Sequence, residues 1–361
     1  MNFLLSSKLL ENFYTRICKM SRKWIVALFL SIMTFAFADQ HRDDPILYYS
    51  DDCDIKILPN AGPRIRGNSW NVFLTADFIY WTARTEGLDY AVSGVGSNNA
   101  SGRVHDLDWS WDPGFKVGLG VNLTHDGWDL FAQYTWLHSD AADSTSQDTA
   151  TTNLTPYWAT HGVLGSSLTH AKANWDVKFH NLTWELGRNA YMSQFMKLRL
   201  FGGLCAAWVY QDYDVSYTNT NGEISCQDME LDYWGVGLRA GLNNSFQFSK
   251  SFSLYSDIAL ALLWGQFDRD RKEKQTDANN VTVPVVSTDQ KPHSSQPVIS
   301  LGAGLRYDAW LSQNRFHLGL QAGWEHQNWI LFNHFITLPG DPNHQGDFFL
   351  QGFTLKVRLD F

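Results

Sequence analysis

The 361 residues are 44% hydrophobic and 15% aromatic but only 18% charged, where an ordinary soluble domain carries about 25% charged residues. Mean hydropathy is −0.28 and no run of about 20 apolar residues occurs beyond the N-terminal segment, which excludes a bundle of transmembrane helices. The aromatic content excludes a disordered chain, and a net charge of −9 leaves a nucleic-acid reading without an electrostatic footprint.

At the N-terminus Arg22-Lys23 precede the apolar run Trp24 to Phe35, followed by Ala36-Phe37-Ala38. A basic start, a short greasy stretch and an A-x-A end are the parts of a secretory signal peptide. The pattern predicts a signal region over 1–38, with a start at Met20 and cleavage after Ala38. A periplasmic segment over 39–69 and a folded domain over 70–361 follow. Cleavage removes five basic residues and Glu11, taking the formal charge from −9 to −13. Cys53, Cys205 and Cys226 remain. Three cysteines in an exported chain cannot all pair internally, so Cys53 is expected to link to an envelope partner or a second subunit. No C-x-x-C or clustered Cys/His spacing exists, and neither a metal nor another cofactor is expected.

Beyond residue 70 the dominant period is two. In Phe115-Lys116-Val117-Gly118-Leu119-Gly120-Val121 the odd positions are bulky and apolar, and the even ones small or polar. In Trp128 to Trp136 the even face is the apolar one. Strand side chains point alternately to opposite faces, so each segment has one greasy and one wet side. Ten strands are predicted, at about 71–81, 114–123, 128–138, 175–187, 195–211, 232–247, 252–264, 298–309, 316–325 and 348–361. Further short strands within 153–172 or 326–337 would make twelve. A parity change between Phe179 and Leu182 predicts a bulge. Thr124-His125-Asp126-Gly127 is a tight hairpin, and short links alternate with long ones along the chain. That asymmetry is the one an outer-membrane barrel has.

A soluble β-sandwich alternates too, and three features decide against it. Most predicted strands approach or exceed the 9–11 residues that cross a bilayer at a tilt. Trp128 and Trp136 share a face eight residues apart, roughly 26 Å along a strand and close to the height of an apolar band between aromatic girdles. Tyr80, Trp264, Tyr307 and Trp324 fit the same girdle. The opposite face carries Gly235, Gly237, Arg239 and Gly241 in one strand and Gly302, Gly304, Arg306 and Asp308 in another, which a wet lumen accepts and a dry core does not. The fold expected is therefore all-β: a single antiparallel up-and-down transmembrane β-barrel with short periplasmic turns and long extracellular loops. Phe353 to Phe361 alternates perfectly and ends on a C-terminal Phe, the form of the targeting strand that the barrel-assembly machinery reads. Phe361 is its key residue.

With those residues in view, Trp70-Asn71-Val72-Phe73-Leu74-Thr75-Ala76-Asp77-Phe78-Ile79-Tyr80-Trp81 resembles the first strand of the Legionella-type major outer membrane proteins, including those of amoeba-associated chlamydiae. Trp111 to Gly118, Leu182 to Arg188 and the twin Gly-x-Gly-Leu-Arg segments at 235–239 and 302–306 are in keeping. The resemblance spans roughly 70–361 and implies a pore-forming protein of a Gram-negative outer membrane.

Inward parity nominates pore-lining charges: Lys116, Arg199, Arg239, Arg306, Lys356 and Arg358, opposed by Asp77, Asp129, Asp257 and Asp308. Lys178, Lys197, Glu185 and Glu325 share that parity. Opposed basic and acidic walls filter ions and polar solutes, or they form a salt-bridge network that plugs the lumen. The expected function is a porin passing ions and small polar solutes. A structural envelope protein or adhesin with a closed lumen is the alternative. The expected surroundings are outer-membrane lipid and the assembly machinery. His105, Asp106 and Asp108 fall together, as do His326, His334 and His344, but no triad or paired-carboxylate spacing stands out, and no enzyme is expected.

Overall fold

The computed structural model describes residues 71–94, 102–123, 127–146, 154–158, 168–193, 195–311, 316–338 and 344–361, all within one compact unit, Lys56–Phe361. The signal region, the 39–69 segment with Cys53, and most of the Thr124–Gly127 turn lie outside the described residues.

Among the described residues fifteen strands follow one another: β1 (Asn71–Thr85), β2 (Ala91–Ser93), β3 (Arg103–His105), β4 (Asp108–Trp109), β5 (Asp112–Asn122), β6 (Trp128–Ser146), β7 (Leu154–Pro156) and β8 (Leu168–Tyr191). They continue as β9 (Met196–Asn219), β10 (Ile224–Gln247), β11 (Phe252–Thr276), β12 (Thr282–Gln290), β13 (His293–Leu311), β14 (Phe316–Asn333) and β15 (Gly346–Asp360). All pairings are antiparallel. The long strands run β1, β5, β6, β8, β9, β10, β11, β13, β14, β15, and β15 pairs back onto β1 from Phe73↔Asp360 to Thr85↔Phe348. The sheet is thus a closed ring with no free edge along that path, which satisfies every strand on both sides. The links at Tyr191–Met196 and Gln247–Phe252 are short and lie at one end with Asn71 and Phe361, which we call the lower end. Residues 326–333 extend β14, and β7 pairs over a few residues with β2 and β8.

The strands are longer than the alternation predicts. β11 has 25 residues, about 80 Å of chain at 3.3 Å per residue. The excess is at the upper end, and its cause is an inversion of sidedness. In β8, Leu182, Trp184 and Leu186 point outward while Trp175, Val177 and Phe179 point into the ring at 1% exposure or less. In β10, Val236 and Leu238 face out, but Met229, Leu231 and Tyr233 are buried inside. β9 and β11 switch in the same way, as Trp208 gives way to Tyr213 and Trp264 to Phe267.

The expected bulge between Phe179 and Leu182 is absent: β8 alternates without interruption from Ala171 to Gly187, and its register shift lies at Leu168/His170. What changes there is the environment, not the backbone. Lys178 consequently points outward, beside Asp176 at 3.8 Å, and is not a lumen residue. Cys226, placed in a loop by the alternation, lies in β10.

The level of the inversion is marked on the outside by aromatics. Trp136, His180, Trp208 and Trp234 are direct cross-strand neighbours on four successive strands. Tyr80, Trp111 and Trp324 continue the band at ring separations of 5.8 and 5.6 Å. Above the band the outer face is charged, with Asp140, Asp176, Asp212, Glu230, Asp270 and Asp289 paired side by side across six strands. A second aromatic band rims the lower end, where Phe252 meets Tyr307 at 5.0 Å and Phe316 meets Phe361 at 6.4 Å.

Candidate functional site: a polar cavity under an aromatic layer

Between the two aromatic bands the ring interior is polar. A cavity of about 230 Å³ is lined by Lys116, Arg199, Arg239, Arg306, Lys356, Arg358, Asp77, Asp129 and Asp257, with Lys197, Glu185 and Glu325 among its other walls. Nine of the ten nominated lining residues are therefore in one space. The tenth, Asp308, faces the same way and is bound to Arg306 at 2.9 Å. Strand parity alone brings them together, since each is a charged residue on the inward face of a neighbouring strand.

The charges are paired across strands. Arg199 on β9 reaches Asp129 at 2.6 Å, Glu185 at 3.1 Å and the Asn243 side-chain carbonyl oxygen at 2.8 Å. Arg239 sits 3.8 Å from Glu185, and Asn243 donates to Asp257 at 2.7 Å. Higher up, Lys116 bonds Glu325, and Asp77 lies 3.9 Å from Lys356 while accepting from Gln133 at 3.2 Å. Asp77 Oδ1 and Thr75 Oγ1 are buried in this wall with no partner among the described residues. The glycines of this wall make room for side chains. Phe73 lies over Gly120 and Phe131 over Gly118.

The cavity is roofed at the level of the upper aromatic band. Trp329 of β14 meets Phe179 of β8 at 5.7 Å. These strands stand five places apart around the ring, so the contact spans the lumen. Tyr233, Phe267 and Phe348 close around Phe332 at 5.2, 5.4 and 5.5 Å. Phe332 arrives because the chain turns inward at Leu331, whose φ is 52°, a costly conformation for a leucine. The inward segment is held from the wall: Arg269 donates to the His334 carbonyl at 2.8 Å and the fully buried Arg271 to the Ile336 carbonyl at 3.0 Å. Two more loop segments fill the space above. The Leu88 and Tyr90 carbonyls accept from Tyr213 and Tyr217 at 2.7 and 2.6 Å, and Trp158 stacks on His344 at 3.6 Å.

Sequence reasoning missed Trp329, Phe332 and Phe179. Trp329 continues the inward parity of Glu325 and Gln327, a signal that runs past the predicted end of its strand. The girdle residues all point outward, Tyr80, Trp264 and Trp324 being exposed and Trp128, Trp136 and Tyr307 half-buried. Phe361 donates its backbone N–H to Val72. Cys205 is buried, its thiol donating to Asn181 at 3.2 Å, and it is a free cysteine, as is Cys226. Of the loop histidines, His105 lies 2.8 Å from Ser93, where burial and Arg103 hold it below the usual imidazole range. Asp106 caps the Leu107 N–H. No group of metal-ligating side chains occurs among the described residues.

A closed antiparallel ring, with an apolar outer face bounded by two aromatic bands and a polar interior between them, defines an outer-membrane strand ring. The model of the Legionella pneumophila major outer membrane protein precursor family matches residues 66–361, and the chain belongs to that family. It is accordingly a protein of the bacterial outer membrane. No curated protein matches. Among solved structures, the chain is similar to the outer membrane protease OmpT of Escherichia coli, at 8% identity over 82% of this chain and 99% of that one, with a TM-score of 0.40. It is also similar to a major outer membrane protein from Thermus thermophilus, at 11% identity over 81% and 100% of the two chains, with a TM-score of 0.30. The Pseudomonas putida toluene transporter TodX aligns at 9% identity over 81% and 90%, with a TM-score of 0.30.

Proposed function

We propose that the chain is a ten-stranded transmembrane barrel that forms a narrow pore for ions and small polar solutes, here in a closed state. Its lower end is periplasmic and its upper end extracellular. The observation that carries this reading is the depth at which the polar cavity lies. Charged side chains and room for water lie between the girdles, the wet interior that a channel-forming barrel has. The dry aromatic packing sits at and above the outer girdle, in the position of an extracellular gate. Phe361 directly follows β15, the strand that the assembly machinery would read, and lipid covers the outer face between the girdles.

Planar-bilayer recording of the purified chain tests the reading. Brief openings separated by long closures are expected; no current over many insertions would remove it. The second reading, a sealed envelope protein or adhesin, draws on the Phe179–Trp329 contact across the lumen and predicts that silence.

A further inference from the structure

Five side chains form a continuous ionic chain at the periplasmic mouth. Arg306 holds Asp308 through Nε and Nη2, and Arg358 holds Asp360 through the same two nitrogens at 3.0 and 2.6 Å. Between the two aspartates stands His317, with Nε2 2.9 Å from Asp308 and Nδ1 2.7 Å from Asp360. An ionised carboxylate only accepts, so both ring nitrogens must donate and the ring is an imidazolium. Two guanidiniums and an imidazolium against two carboxylates leave one positive charge on the chain.

Lys197 enters the same cavity from β9, with Arg306 and Arg358, and also Asp129 and Asp308, within electrostatic reach. No carboxylate lies within salt-bridge distance of its ammonium among the described residues; its close neighbour is the Tyr191 ring at 5.9 Å. Arg199 and Asp129 neutralise each other beside it. The mouth therefore gathers more cationic than anionic groups around one polar space, an arrangement that draws an anion. Both arginines spend Nε and Nη2 on their aspartates, which leaves each Nη1 free to donate.

We propose that the periplasmic mouth binds one small oxyanion, a phosphate or carboxylate group of a solute, between Lys197 Nζ and the Nη1 atoms of Arg306 and Arg358. The proposal rests on the pore reading only in taking the cavity to be open to the periplasm.

The test is calorimetric titration of the full chain, folded in detergent at constant ionic strength, with inorganic phosphate in one arm and acetate in the other. Saturable binding of at least one of them is expected. Lys197→Gln should weaken it on the order of tenfold, the worth of a charge-assisted hydrogen bond, whereas Lys197→Arg should keep it. Saturation by neither anion, or equal affinity in Lys197→Gln, would overturn the site. The readout needs no current, so the two ideas fail separately. A conducting barrel that binds neither anion loses the site and keeps the pore; a silent one that binds phosphate does the reverse.

Discussion

Trp329→Ala is expected to turn a channel that is closed for most of a bilayer recording into one that stays open. The indole makes the contact with Phe179 that spans the lumen, and it also borders the small void beneath, shared with Asn181, Cys205 and Arg239. Removing it opens that void toward Phe332, whose ring lies 5.5 Å from the indole. Truncating a buried aromatic also destabilises, by about 3–5 kcal/mol, so the fold must be checked alongside conductance, by whether the unheated protein still migrates as a compact band. Trp329→Phe, which keeps a ring at the contact, should remain largely closed. A folded Trp329→Ala barrel with wild-type gating would place the closure elsewhere.

The second large effect is expected at Arg199. Its guanidinium is shared by Asp129 and Glu185, whose side chains are only 5% and 8% exposed. Arg199→Ala leaves the nearly buried Asp129 without its cation and Glu185 with only the more distant Arg239, 3.8 Å away. Breaking such a pair by removing one partner typically costs about 3–5 kcal/mol, more than the pair itself is worth. The urea midpoint in detergent should fall accordingly. Adding Asp129→Asn and Glu185→Gln to Arg199→Ala should recover most of the loss, because neutral amides do not need the cation. An unchanged midpoint in Arg199→Ala would mean that water reaches these carboxylates freely.

Most of the membrane-depth architecture was legible from period two. Lys116, Asp77, Arg239 and Arg306 could be assigned to the interior because lipid dictates which parity is apolar, and the solvent on the other face does the rest. The upper third was not legible for the same reason. Above the girdle the outside is water and the inside is dry, so Trp175, Val177 and Phe179 read as a shifted register when the register had not moved. A rule that seeks apolar residues on one constant face must fail where the two solvents exchange places. The pairing of particular charges was also out of reach. Parity puts Arg199 and Glu185 in one lumen, but only the stagger of β8 against β9 brings Arg199 onto Asp129, two strands away.

Cysteine accessibility along β8 tests for a polar lumen between the girdles under a dry layer above them. In a background without the native cysteines, single cysteines would replace Trp175, Val177, Lys178, Thr183, Trp184 and Glu185 in turn. In lipid vesicles, a charged thiol reagent should modify positions 183 and 185 from the lumen and 178 from the outside, and spare 175, 177 and 184. Reaction at 175 and 177 as fast as at 183 would show an open, wet upper lumen. Protection of 183 and 185 together with reaction at 184 would contradict the assigned sidedness of the wall.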